Sequence, residues 1–135
     1  MIIEVAEAIM QQFNATPLLK DALSGHLYYE QAPQDMSGDY GVFYILGGTQ
    51  DELMGDADDN IKNLEVQFNL FSDAADGGYR IAGLRGFLMD CYDWVILAVD
   101  GYNPIKMQPL SWLSIPVTDN IRQITVNYEV SVQKD

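Results

Sequence analysis

Leu64-Glu65-Val66-Gln67-Phe68-Asn69-Leu70 alternates apolar and polar side chains for seven residues without a break. A strand turns successive side chains to opposite faces, so this period of two predicts a half-buried β-strand. The same pattern returns near the end of the sequence. Ile124, Val126, Tyr128, Val130 and Val132 interleave with Gln123, Thr125, Asn127, Glu129 and Ser131. Such a strand either pairs within its own sheet or extends a neighbour's. Two strands of this kind, far apart in sequence, require a sheet with one buried face and something to cover it.

Helical periods supply the cover. Ile2, Val5, Ala6, Ile9, Met10 and Phe13 recur at helical spacing, with Glu4, Glu7, Gln11 and Gln12 between them. Thr16-Pro17 reads as an N-cap followed by proline at the first helical position, opening a short helix through Leu18, Leu19 and Leu23 that Ser24-Gly25 closes. After the first alternating strand, Asp76-Gly77-Gly78 breaks the chain. A helix is predicted from about Tyr79 to Trp94, with Ile81, Leu84, Phe87, Leu88, Cys91 and Trp94 on its core face.

Further strands are expected over His26 to Ala32, with Pro33 as a stop, over Tyr40 to Gly47, and over Val95 to Val99. Ile105 to Ile115 carries Pro109 and is bounded by Pro116, which makes it edge-like or bulged. The order is helix, helix, three strands, helix, then three or four strands. Short connections make the sheet mainly antiparallel, a mixed sheet with an N-terminal and a central helix packed on one face: one α+β domain over residues 1–135. Gly48 to Asn60 is polar and carries Asp51, Glu52, Asp56, Asp58 and Asp59, the expected mobile assembly loop.

Composition narrows the function classes. Twenty acidic residues against seven basic ones give a formal net charge of −13. That argues against phosphate contacts to DNA or RNA and against an anionic membrane surface. The charge serves solubility, or a surface that repels nucleic acid. One cysteine forms no internal disulfide. The opening MIIEVAEAIMQQF contains Glu4 and Glu7 and no basic residue, unlike a secretory signal, and no apolar run has the length of a membrane span. Cytoplasm is the default compartment.

Catalytic and metal motifs are missing from the sequence, so no catalytic residue, metal or cofactor is expected. Zinc needs about four ligands, and His26 and Cys91 are the only histidine and cysteine. Cys91 falls on the apolar helix face, as an inert thiol does. An EF-hand loop starting at Asp56 needs Gly at its sixth place and Glu at its twelfth, where Ile61 and Gln67 stand. Gly83-Leu84-Arg85-Gly86 lies within a predicted helix and not after a strand, so it is no dinucleotide fingerprint.

The helix from Tyr79 to Trp94 carries a signal of a different kind. Its other face holds Ala82, Gly83, Gly86 and Met89. A glycine inside a helix costs about 1 kcal/mol relative to alanine. Arg80 and Arg85 sit in the first half and Asp90 and Asp93 in the last turn, against the helix dipole. Either this is a solvated face, or a neighbouring subunit meets Arg80, Ala82, Gly83, Arg85, Gly86, Met89, Asp90 and Asp93.

Tyr28-Tyr29-Glu30-Gln31-Ala32-Pro33, then Tyr40-Gly41-Val42-Phe43-Tyr44-Ile45, then Leu64-Glu65-Val66-Gln67-Phe68-Asn69-Leu70-Phe71, followed by a helix and C-terminal strands, resembles the tail completion (tail terminator, tail-to-head joining) proteins of long-tailed bacteriophages. Gly41 stands where many relatives have proline. The resemblance implies a non-enzymatic virion subunit, made in the host cytoplasm. It would form a homo-oligomeric ring, commonly a hexamer, on the tail tube. Its partners would be the tail tube protein and the head connector, and an acidic channel would pass DNA. Two other classes stay open: an acidic DNA mimic that inhibits a nucleic-acid enzyme, and a small-ligand-binding domain using residues such as Tyr28, Tyr44 and Trp112.

Overall fold

In a computed structural model, which describes residues 2–47, 62–75, 78–117 and 121–133, the two alternating segments lie side by side at the centre of one sheet. The helices are α1 (Ile2–Asn14), α2 (Pro17–Ala22) and α3 (Tyr79–Tyr92). The strands are β1 (Leu27–Tyr29), β2 (Tyr40–Gly47), β3 (Lys62–Ser72), β4 (Ile96–Leu97), β5 (Ile105–Lys106), β6 (Gln108–Pro116) and β7 (Arg122–Val132). Five strands form the sheet in the order β1-β2-β3-β7-β6, and β4 and β5 form a separate ribbon. The α+β class is as expected.

The final strand pairs within its own chain. β7 runs antiparallel to β3 from Lys62↔Val132 to Ser72↔Arg122, and β6 takes its other side. Its buried set is Ile124, Val126, Tyr128, Val130 and Val132, matched in β3 by Leu64, Val66, Phe68 and Leu70. α1 and α3 pack on that face. Phe68 contacts Tyr92 at 4.7 Å and Tyr128 at 5.8 Å between ring centroids. Two hydroxyls tie the helices to each other and to the sheet. Tyr92 donates to the Ile9 carbonyl of α1 at 2.8 Å, and Tyr128 donates to Asp93 Oδ1 at 2.5 Å.

Several expectations need correction. The first strand is only three residues long, shorter than the expected His26 to Ala32, and its parallel pairing with β2 is what makes the sheet mixed. Thr16 sits at the N-cap of α2 but makes no side-chain cap; its hydroxyl donates to the Gln12 carbonyl at 2.8 Å. α3 ends at Tyr92, so Trp94 leaves the core face. It adopts a left-handed φ of 60°, is half exposed, and lies under the Lys106 ammonium. Fully buried Tyr92 fills the core instead. The expected 95–99 strand shrinks to Ile96–Leu97. The Ile105–Ile115 segment is edge-like and bulged as anticipated, splitting into β5 and β6 with a register shift between Pro109 and Ser111. Gly41 is explained by packing: an added Cβ would stand 2.9 Å from Leu70 Cδ2 and 3.0 Å from Leu27 Cδ1.

Candidate interaction surfaces

The predicted subunit-facing residues of α3 occupy its outer surface. Ala82, Gly83 and Asp90 are exposed, and Arg80, Arg85, Gly86, Met89 and Asp93 are half-buried. A Cβ added at Gly83 or Gly86 would meet nothing within 4 Å. Among the described residues, the glycines therefore make room for nothing inside their own chain. The charges behave otherwise, because three of the four have partners within the fold. Arg80 donates through Nε to Asp39 Oδ2 at 2.6 Å and through a terminal nitrogen to the Ala22 carbonyl at 2.9 Å. Asp93 accepts the Tyr128 hydroxyl, and Arg85 stacks over the Trp112 ring at 4.0 Å. A missing counter-charge is thus not an argument for a neighbour at Arg80 or Asp93. The expected loop residues Asp51, Glu52, Asp56, Asp58 and Asp59 lie outside the described residues.

Two surfaces emerge that the sequence did not announce. The first is the run of exposed apolar side chains along the β6 edge. Leu110, Trp112 and Leu113 are 49%, 51% and 61% exposed. Trp112 pairs with Val126 and so faces the helix layer, whereas Leu113 pairs with Thr125 on the opposite side. The apolar residues of this strand keep no strict alternation, which is the signal that could have revealed it. The second is a groove of about 410 Å³ between α1 and β1, lined by Ile3, Ala6, Glu7, Met10 and Tyr29 among others. Ile3 is strongly exposed.

The sheet face away from the helices carries a lattice of neutral polar side chains. Gln67 donates to Asn127 at 3.2 Å, Asn69 to Gln67 at 3.3 Å, and Gln123 to Asn69 at 2.9 Å. Thr125 donates to Asn69 at 2.7 Å, and Asn127 to Ser111 at 3.3 Å. This network satisfies Asn69, which is 7% exposed, and so removes the cost of burying an amide. Tyr28 and Tyr44 lie on this face by register, across the sheet from Trp112, so the three do not converge on one ligand site.

Chemically active groups are few. Burial pushes the Cys91 thiol up, against its bonds to Thr16, Tyr92 and Gln12; it donates to Thr16 Oγ1 at 3.2 Å. Burial also raises Tyr92 strongly, and it raises Tyr128 with help from the Asp93 carboxylate. His26 stacks on Tyr28 with centroids 6.2 Å apart. Among the described residues, no group of three or more His, Cys, Asp or Glu is placed to hold a metal ion. Among the same residues, no helix is long and apolar enough to cross a membrane.

No family model and no curated protein matches the sequence. Solved structures do match in shape. One is a chain from the virion of a native gene transfer agent (GTA) particle, with a TM-score of 0.75 at 17% identity, covering 93% of this chain and 92% of that one. Another solved chain gives a TM-score of 0.67 at 13% identity and covers 98% and 95%. Such agreement over nearly the full length of both partners shows a shared fold.

Proposed function

We propose that this chain is a structural protein of a phage-like virion, acting as an assembly subunit and not as a catalyst. The observation that carries the reading is the end-to-end likeness to a chain of a virion particle, with neither partner left with a large unmatched part. The ordered sequence block from Tyr28 to Phe71 supports the same class. More finely, the chain works as a tail completion protein. Copies close into a ring on the tail tube, end its growth, and offer a surface to the head connector.

The net charge of −13 gives that ring a second property. A ring of such subunits surrounds its channel with negative potential, which keeps passing DNA from adhering through its phosphates. The decisive experiment is to produce particles with this chain deleted and to image them by electron microscopy. Overlong tails without heads are expected. Tails of normal length with heads attached would refute the role.

A further inference from the structure

The two ends of the sheet are unlike, and their differences match. At one end, β6 exposes a large apolar side chain on each face, Trp112 toward the helices and Leu113 away from them. A strand apolar on both faces has the pattern of an inner strand, whereas edge strands are normally blunted by charge. From Gln108 to Val117 there is no charged residue, in a chain with twenty acidic ones. Beside it stands Arg85, stacked on Trp112, with its Nε buried and without a hydrogen-bond partner among the described residues. The ion pair found among them belongs to Arg80.

At the other end, β1 is short and the α1–Tyr29 groove opens beside it. Its apolar floor is Ile3, Ala6 and Met10, and the exposed carboxylates Glu7 and Glu30 lie near it. Tyr29 pairs with Phe43, which places the groove on the helix side of the sheet, the same side as Trp112. A strand added in continuation of a sheet keeps the two sides in line. The indole of one copy would then arrive at the groove of the next.

We propose that these ends are the two halves of one head-to-tail contact between copies of this chain: β6 adds to the β1 edge of the next copy, Trp112 enters the α1–Tyr29 groove, and Arg85 meets Glu7. The occupant is a second copy because the Arg85 guanidinium, whose Nε has no hydrogen-bond partner among the described residues, is matched by the Glu7 carboxylate at the other end. Trp and Arg are also the residue types that most often dominate interfaces. The contact is heterologous, so every copy keeps one free end until a ring closes. This rests on the assembly reading above and assigns its surface.

The test is sedimentation at rising concentration of the wild type, Trp112→Ser and Ile3→Glu, each change made at an exposed side chain so that melting is kept. Each variant alone should associate at least about 10-fold more weakly. Their mixture should form one-to-one pairs, since each supplies the half the other has lost. Arg85→Glu should weaken association similarly, and adding Glu7→Arg to it should restore binding. With Trp94→Phe, Trp112 is the sole tryptophan, and its emission should shift to shorter wavelength as copies associate. If Ile3→Glu associates like the wild type, the edges meet by a two-fold axis and the proposal is overturned. Larger assemblies indifferent to all these changes overturn the assigned surface while leaving the assembly reading intact. A wild type that stays monomeric overturns the contact, and the tail-length experiment then decides the assembly reading separately.

Discussion

Replacing Gly86 by alanine should stabilise the isolated subunit. Gly86 lies in the interior of α3, and an added Cβ meets no atom within 4 Å, so the change brings no clash and no lost contact. What remains is helix propensity, about 1 kcal/mol in favour of alanine. For a domain of this size that corresponds to roughly 2–5 °C in Tm. The assay is thermal melting by circular dichroism in dilute solution, where association adds nothing to apparent stability. Gly83→Ala should do the same, and the two should add to about 2 kcal/mol, because neither Cβ has a neighbour to share. Gly86→Leu extends the test. It should melt close to the alanine variant yet hinder assembly, since its side chain stands next to Arg85 at the proposed contact. Unchanged or lowered melting of both alanine variants would refute the reasoning, because the glycines would then be serving the subunit's own fold.

Other outcomes follow from the buried hydroxyls and the charge. Tyr92→Phe leaves the Ile9 carbonyl without its buried donor and should cost about 1–3 kcal/mol, measured by urea unfolding; a cost near zero would mean that water takes the place of the hydroxyl. Tyr92 and Tyr128 are both raised in the folded state, so the folded chain holds protons that the unfolded chain gives up. Their contribution is complete below the usual tyrosine value of about 10 and is lost as pH rises above it, so the melting temperature should begin to fall there, and Tyr92→Phe should flatten that fall. Cys91 is fully buried with a raised thiol, so it should resist alkylation in the native protein at pH 8 and react only on unfolding. The chain should show no salt-sensitive binding to duplex or single-stranded DNA in a fluorescence anisotropy titration; micromolar affinity would defeat the reading of the channel.

The long elements were legible because their periods are long. β3 repeats apolar residues every second position from Leu64 to Leu70 and β7 from Ile124 to Val132, and one buried face suffices to read that. β1 was not legible as parallel, since three residues carry no period and its partner is chosen by the fold. Trp94 misled for a related reason. It falls in phase with Cys91, but the helix stops at Tyr92, and neighbouring Asp93 is bonded to Tyr128, 35 residues away. The reversed charges of α3 looked unmet because Asp39, the partner of Arg80, is 41 residues distant. The glycine stripe was legible as a face off the core, because Gly83 and Gly86 fall out of phase with Ile81, Leu84 and Leu88. Pro109 and Pro116 marked β6 as an edge, but the apolar exposure along it and the α1 groove were not legible, because each depends on which elements end up at the rim of the sheet.

The position of β7 also governs when the fold can form. It is the last strand in the sequence but lies inside the sheet, between β3 and β6, and each of its pairings with β3 spans at least fifty residues. During synthesis, therefore, β3 has an open side and α1 and α3 have half a floor until β7 leaves the ribosome. Non-local pairing of this kind folds slowly, and the apolar faces wait exposed meanwhile. The edge strand β6 has nowhere to dock in its own chain before β7 arrives, since β7 is its neighbour. Completion of the subunit core and presentation of β6 as the rim of the sheet are thus a single event, which delays any use of that edge until β7 has been made.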